Sequence, residues 1–246
     1  MAISRPQAQA GPSARIERFN FTERGTHWTH SIGFLLLLLT GIFLYFPPLG
    51  QVAAGVGLSH LTMLNLHVLT GAFYLGGPLL WWLFGNRRSL NRDLKALDVW
   101  DDDDIAFLKS PLGVVKEGVA PPQGRFNAGQ KVNTILLFAS ALGFGVTGLI
   151  MWQSNTHIFP QQLIQGSVNL HDILTILTAA LVAGHIYLAA LHPTTRPGLS
   201  GIFSGYVDRA WALHHHPKWV KEQEADGEAA RGLDREAARE AGVDVT

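Results

Sequence analysis

Residues 25–86 read GTHWTHSIGFLLLLLTGIFLYFPPLGQVAAGVGLSHLTMLNLHVLTGAFYLGGPLLWWLFGN, without one Asp, Glu, Lys or Arg. A second stretch, between Lys131 and Arg196, carries a single charge, Asp172. All nineteen Lys and Arg residues lie outside both, in an N-terminal arm (Arg5 to Arg24), a central loop (Arg87 to Lys131) and a C-terminal tail from Arg196 onward. Each uncharged stretch is interrupted once by a polar or turn-rich patch, so each reads as a hairpin of two membrane helices. Positive charge is retained on the cytoplasmic side of a membrane. The chain is therefore expected to start inside, cross four times and end inside. That is an all-α membrane protein, a four-helix bundle with both ends on the cytoplasmic side.

The spans are expected at about 28–46, 60–84, 132–152 and 168–191, each close to the roughly 20 residues that cross about 30 Å of hydrocarbon. They divide the chain into an arm (1–25), a membrane domain (26–192) with an inner loop (86–131), and a tail (193–246). Pro47-Pro48 stop the first span, and Trp81-Trp82 suit an interfacial anchor on the second. The inner loop holds eight basic and seven acidic residues, and its Asp101–Asp104 run reads as a solvated surface feature. The tail beyond Lys221 reads as a surface helix or as disordered chain. No internal repeat stands out.

Composition narrows the chemistry. The 246 residues are 47% apolar and 15% charged, as in a small integral membrane protein. The net charge of zero averages very uneven segments and makes no case for nucleic acid. The absence of cysteine excludes disulfides, thiolate-bound iron–sulfur clusters and covalently attached c-type haem. Any redox centre must rely on imidazole, carboxylate or thioether. The first 25 residues lack an apolar core, so no cleaved signal peptide is expected.

Eleven histidines are many for such a chain. His27 opens the first span at its inner end, and His67 sits about seven residues into the second from outside, roughly 10 Å deep. His171 and His185 share one face of the fourth span, about 21 Å apart at 1.5 Å per residue. By depth, His67 pairs with His171 outside and His27 with His185 inside. Two opposed imidazoles in a bundle core can clamp a planar haem from both faces. A lone membrane histidine more often hydrogen-bonds a neighbouring helix. Four matched in depth outweigh that, because each intramembrane ionisable group needs a partner. His30 could replace His27 or simply pack. His60 and His192 fall at headgroup depth, His157 in an outer loop, and His214, His215 and His216 in the tail, suited to interfacial or partner contact. Gly71, Gly143, Gly145, Gly148 and Gly184 permit close approach of helices or of a porphyrin.

Several stretches resemble the gamma, cytochrome b subunit of membrane-bound formate dehydrogenases. They are Arg18-Phe-Asn-Phe-Thr-Glu-Arg-Gly-Thr-His-Trp28, Asn127-Ala-Gly-Gln-Lys131, the His171/His185 spacing followed by Ile-Tyr187, and His215-His-Pro-Lys-Trp219. The similarity covers about residues 16 to 222. It implies two haem b groups, an outer one on His67 and His171 and an inner one on His27 and His185. It also implies an iron–sulfur subunit feeding the outer haem, a molybdenum or tungsten pterin subunit oxidising formate, and menaquinone or ubiquinone reduced near the cytoplasmic side. The implied quinone residues are Asn127, Gly129 and Gln130, with His185 close by. Taken without the resemblance, Asn127 to Lys131 reads as the start of a helix at the interface.

The N-terminal extension, the Asp101–Asp104 run and Asp172 depart from the family pattern and leave partner identity open. Asp172 either favours the start of the fourth span through the helix dipole or serves partner docking or haem tuning. Related bundles serve hydrogenases and thiosulfate or polysulfide reductases. A rival from another class is a histidine-lined metal transporter, against which stand the lack of inverted repeats and of a broken helix. A passive membrane anchor is a third.

Overall fold

The computed structural model describes residues 15–109 and 121–240. Most of the N-terminal arm, with its extension, residues 110–120 of the loop between the second and third spans, and the final six residues lie outside these. In chain order the elements are β1 (Arg15–Glu17), α1 (Phe21–Tyr45), α2 (Pro47–Gly55), α3 (His60–Phe84), α4 (Arg87–Asp98) and α5 (Asp102–Lys109). Then come α6 (Ala128–Trp152), α7 (Gln161–Ile186) with a π-helical turn (Tyr187–Leu191), α8 (Leu199–Ser204), β2 (Tyr206–Asp208), α9 (Arg209–His215) and α10 (Pro217–Glu240).

Four helices are long and apolar enough to cross a membrane: α1, α3, α6 and α7 with its π turn. Three of them begin earlier than the apolar pattern suggests: two are started by polar capping boxes and one follows a proline. Asn20 accepts the Glu23 N–H at 3.1 Å while its own N–H donates to the Glu23 carboxylate at 2.7 Å. This reciprocal box satisfies two free amide groups and starts α1 at Phe21 rather than near residue 28. Asn127 and Gln130 make the same box for α6, at 2.8 and 2.9 Å. Pro160 precedes α7, which starts at Gln161 instead of near 168. Pro47-Pro48 do end the first span. They also start the short α2, since proline's fixed φ and missing N–H suit a first helical turn.

α1 packs chiefly on α3, and α6 on α7, so the bundle consists of two hairpins. Contact between them is sparse and runs mainly through α3 and α6. The interior centres on Phe34, Tyr74 and Ala141, with Leu37, Leu38, Phe144 and Val182 around them. Large side chains such as Leu39, Leu69, Phe138 and Ile176 face outward, as a lipid-facing surface requires.

Outside the spans, arm, loop and tail form one cap. β1 pairs antiparallel with β2, Ile16 opposite Val207, which ties the described part of the arm to the tail. Val207, Ala212, Trp219 and Val220 form a small core of their own with Ile16, Trp211 and Leu213. The first turn of α10 docks on this core through Trp219 and Val220, and the side chains of the next turns, from Lys221 to Asp226, are exposed.

The Asp101–Asp104 run is not simply solvated, and that expectation is corrected. Asp101 caps α5 by accepting the Asp103 and Asp104 N–H groups at 3.0 and 3.1 Å. Asp104 is buried and pairs with Lys131 at 2.6 Å. Asp101 and Asp103 both grip Lys218 of α10 at 2.6 Å. Three acidic side chains therefore tie the loop to the start of α6 and to the tail.

A second network lies beside it. The Arg125 guanidinium binds Glu23 at 2.9 Å and also the Asp93 carboxylate, and Arg92 reaches Glu23 at 3.1 Å. Arg18 donates to the Arg125 carbonyl and lies 4.5 Å over the Trp219 ring. Burial, with Arg125 alongside, lowers Arg18 to about 9. His216, expected at an interface, is instead buried, its Nδ1 2.8 Å from the Gly124 carbonyl and its Nε2 3.3 Å from Arg18. Arg18 can only donate, so Nε2 accepts, Nδ1–H donates, and the ring is neutral.

Candidate functional site

The bundle brings its histidines together in two pairs. His27 of α1 faces His185 of α7 with ring centres 6.3 Å apart, and His67 of α3 faces His171 of α7, also at 6.3 Å. Both pairs join one hairpin to the other. His27, His67 and His171 are half-buried, while His185 is exposed in the isolated chain. Between the pairs lies the apolar cluster of Phe34, Tyr74 and Ala141, and Phe144 extends it to within 5.0 Å of the His171 ring.

That spacing can be tested against a shared metal. A metal–imidazole bond is about 2 Å, and a ring nitrogen lies about 1 Å from its ring centre, so two imidazoles on opposite sides of one ion sit roughly 6 Å apart. Both pairs fit. A direct hydrogen bond between the rings would draw them closer than this. Among the described residues no three His, Asp or Glu side chains gather as a bare metal site requires. A planar group that supplies the remaining ligands itself suits the pairs better than a loosely held ion.

The His67–His171 pair is held by two threonines. Thr40 Oγ1 lies 2.8 Å from His67 Nδ1, and Thr147 Oγ1 lies 2.8 Å from His171 Nδ1. Sequence reasoning missed both residues. The available signal was the dipeptide Thr-Gly, which occurs late in each of α1 and α6 as Thr40-Gly41 and Thr147-Gly148.

The remaining histidines do other things. His30 stacks on Tyr74 at 4.1 Å, so His27 and not His30 faces His185. His60 is exposed at the first position of α3. His157 sits in the loop between α6 and α7 with a φ of 58°. His192 bonds Thr194, and His215 stacks on Trp211.

The glycines divide by role. A methyl group at Gly143 would meet Leu174 at 2.7 Å and one at Gly145 would meet Leu75 at 3.1 Å, so both serve helix packing. A methyl group at Gly148 would lie 3.8 Å from the His171 ring, whereas beside Gly184 nothing lies within 4 Å.

Asn127 and Gln130 face solvent-accessible space at the head of α6, with Gly129 between them and near Phe107. Their side-chain oxygens are spent on the cap. Their amide N–H groups make no hydrogen bond among the described residues and stay available to donate.

Four lipid-facing helices enclosing two opposed imidazole couples define a class, the multi-pass membrane cytochromes. The model of the family described as prokaryotic cytochrome b561 matches residues 18–205, and this chain belongs to that family. Membership makes it a membrane protein that carries haem b and transfers electrons. It is 28% identical over 228 residues to the cytochrome b556(Fdn) subunit of the nitrate-inducible formate dehydrogenase of Escherichia coli K12, covering 90% of this chain and 99% of that one. It is 26% identical over 216 residues to the formate dehydrogenase cytochrome b556 subunit of Haemophilus influenzae, covering 85% and 84%. To the cytochrome b556(fdo) subunit of E. coli K12 it is 26% identical over 213 residues, covering 84% and 92%.

Proposed function

We propose that this chain is the membrane subunit of a formate dehydrogenase-type respiratory complex, carrying electrons across the bacterial inner membrane to quinone. The observation that carries this reading is the pair of matched couples, each 6.3 Å between ring centres, one above the other in a single bundle. The formate dehydrogenase subunits among its relatives favour formate as the primary reductant over hydrogen or reduced sulfur compounds.

In this reading His67 and His171 hold an outer haem b, and His27 and His185 an inner one. When bound, each supplies a one-electron iron couple. The chain supplies axial ligands, fixed separation and an apolar surrounding. An iron–sulfur subunit and a molybdenum or tungsten pterin subunit complete the complex. The Lys and Arg residues of arm, loop and tail put the capped face, with both termini, in the cytoplasm. The arm (1–25), the membrane domain (26–192) and the tail (193–246) then form the three parts of the chain.

Menaquinone or ubiquinone would bind beside Asn127, Gly129 and Gln130, near His185. The free amide N–H groups of Asn127 and Gln130 suit a quinone carbonyl, and Gly129 keeps the backbone accessible between them. Protons consumed there would come from the cytoplasm while electrons arrive from outside, which stores energy as membrane potential.

Purified protein from haem-producing cells is expected to show a reduced-minus-oxidised b-type spectrum with two haems per chain. His185→Ala is expected to lose one haem and quinone reduction while the other haem remains reducible. Unchanged quinone reduction in that variant defeats the proposed path.

A further inference from the structure

Both hydroxyl groups beside the outer histidines have their own protons already committed. Thr40 Oγ1 lies 2.8 Å from the Leu36 carbonyl one turn back in α1, and Thr147 Oγ1 lies 2.7 Å from the Gly143 carbonyl one turn back in α6. A carbonyl only accepts, so each hydroxyl donates to its own helix. What each Oγ1 can then offer the imidazole is a lone pair. Nδ1 of His67 and of His171 must therefore carry the proton, which leaves Nε2 of each ring unprotonated and free to bind a metal.

The arrangement occurs twice, on different helices of different hairpins. Thr40 and Thr147 are both almost fully buried. Each is followed by a glycine that faces the same ring: a methyl group at Gly41 would lie 3.5 Å from His67 Cε1, and one at Gly148 would lie 3.8 Å from His171 Cε1. The inner couple is built differently. His27 Nδ1 is buried without a hydrogen-bond partner among the described residues, and no side-chain hydroxyl bonds the His185 ring there. Simple satisfaction of buried polar groups does not explain a contact made at one couple and omitted at the other.

We propose that Thr40 and Thr147 are positioning residues of the outer haem site, fixing the tautomer of His67 and His171 and lowering the reduction potential of the iron they share. The physical cause is ligand basicity. An imidazole whose Nδ1–H donates a hydrogen bond is a better electron donor through Nε2, and a better donor stabilises ferric over ferrous iron. Lowering the outer site alone favours passage of an electron onward to the inner site. The inference rests on the reading that His67 and His171 are haem ligands.

Redox titration of the purified, haem-loaded protein, followed by absorbance, tests it in Thr40→Val, Thr147→Val and the double variant. Valine keeps the shape and removes the hydroxyl. One of the two haems is expected to become easier to reduce in each single variant. In the double variant the shift should reach about tenfold, or about 59 mV for a one-electron couple. The other haem should stay put. Thr40→Ser and Thr147→Ser retain the hydroxyl and should titrate like the parent. The low-spin ferric electron paramagnetic resonance signal of the same haem should move in the valine variants and not in the serine ones.

An unmoved potential in the double variant with both haems bound overturns the proposal. So does an equal shift of both haems, or a shift with serine as large as with valine. If the double variant binds too little haem to titrate, the single variants decide, and an unchanged potential in both counts against it. His67→Ala separates the two levels of failure. Retention of both haems in that variant would remove the ligand assignment itself. Loss of one haem there, with no effect of valine, would remove only the role of the threonines.

Discussion

Lys131 at the head of α6 and Asp104 of α5 form an ion pair of 2.6 Å with both side chains almost entirely out of water. The lysine ammonium also donates to the Val99 carbonyl at 2.7 Å. The pair locks the loop between α3 and α6 onto the first turn of a membrane span, directly beside Asn127 and Gln130.

Removing one partner of that pair strands the other charge in the interior, which costs about 3–5 kcal/mol. Lys131→Ala and Asp104→Ala are each expected to destabilise the protein strongly in detergent, as measured by thermal unfolding. The double change Lys131→Met with Asp104→Leu should recover most of the loss, because it removes both charges together. Single variants as stable as the parent would show that the pair is open to water in the membrane-embedded protein.

The cap at the head of α6 permits a clean separation of folding from quinone binding. Gln130→Glu keeps an oxygen to accept the Asn127 N–H, and an acidic residue at this position suits a helix start. What it loses is the amide donor. Quinone reduction is expected to fall by about tenfold, the cost of one hydrogen bond at about 1.4 kcal/mol, with thermal stability retained. Equal activity in parent and variant would leave Gln130 with a capping role alone.

The buried His216 makes the cap sensitive to acid. Burial pushes its imidazole well below the usual 6.5, and the Arg18 and Arg125 charges facing it act in the same direction. When the tail opens, the ring takes up a proton at the ordinary value. The open form therefore binds more protons below pH 6.5, and stability supplied by neutral His216 is lost as the pH falls through that value. Asp93 works in the opposite sense. Burial, with Glu23 nearby, raises it to about 6 against the attraction of Arg125, so its contribution grows as pH falls from there towards 3.8. Hydrogen exchange of the tail at about pH 7.5 and about pH 5.5 should reveal faster opening in acid for the parent. The difference should be smaller in His216→Gln, and an identical acid response in both would show that His216 is not its source.

Much of the architecture was legible in the chain because a bilayer imposes a simple rule. Two charge-free stretches, each interrupted once, allow few arrangements other than paired apolar helices, since hydrocarbon tolerates neither charge nor unpaired backbone. The pairing of His67 with His171 and of His27 with His185 was legible for a similar reason. A helix converts residue number into depth at a constant rise, so histidines of equal depth on neighbouring spans are brought within reach of each other.

Other features were decided by contacts between residues far apart in sequence. Nothing local in Asp101 to Asp104 shows that one carboxylate is buried on Lys131 while two others hold Lys218. Nor does the His214-His215-His216 run reveal that its last member turns inward to Gly124 and Arg18. Thr40 and Thr147 look like ordinary small residues of membrane helices until rotation and packing bring their hydroxyl groups to Nδ1 of two histidines on other helices.

Sequence by itself determined four apolar helices, the segregation of charge to arm, loop and tail, and the relative heights of the histidines along the spans. Each of these follows from solvation and helical rise, which act residue by residue. Only the tertiary structure decided how closely the paired rings approach, which nitrogen carries the proton in His67 and His171, and how arm, loop and tail close into one cap. Those outcomes depend on directional contacts a few ångströms long, and only the packed chain brings their partners within that distance.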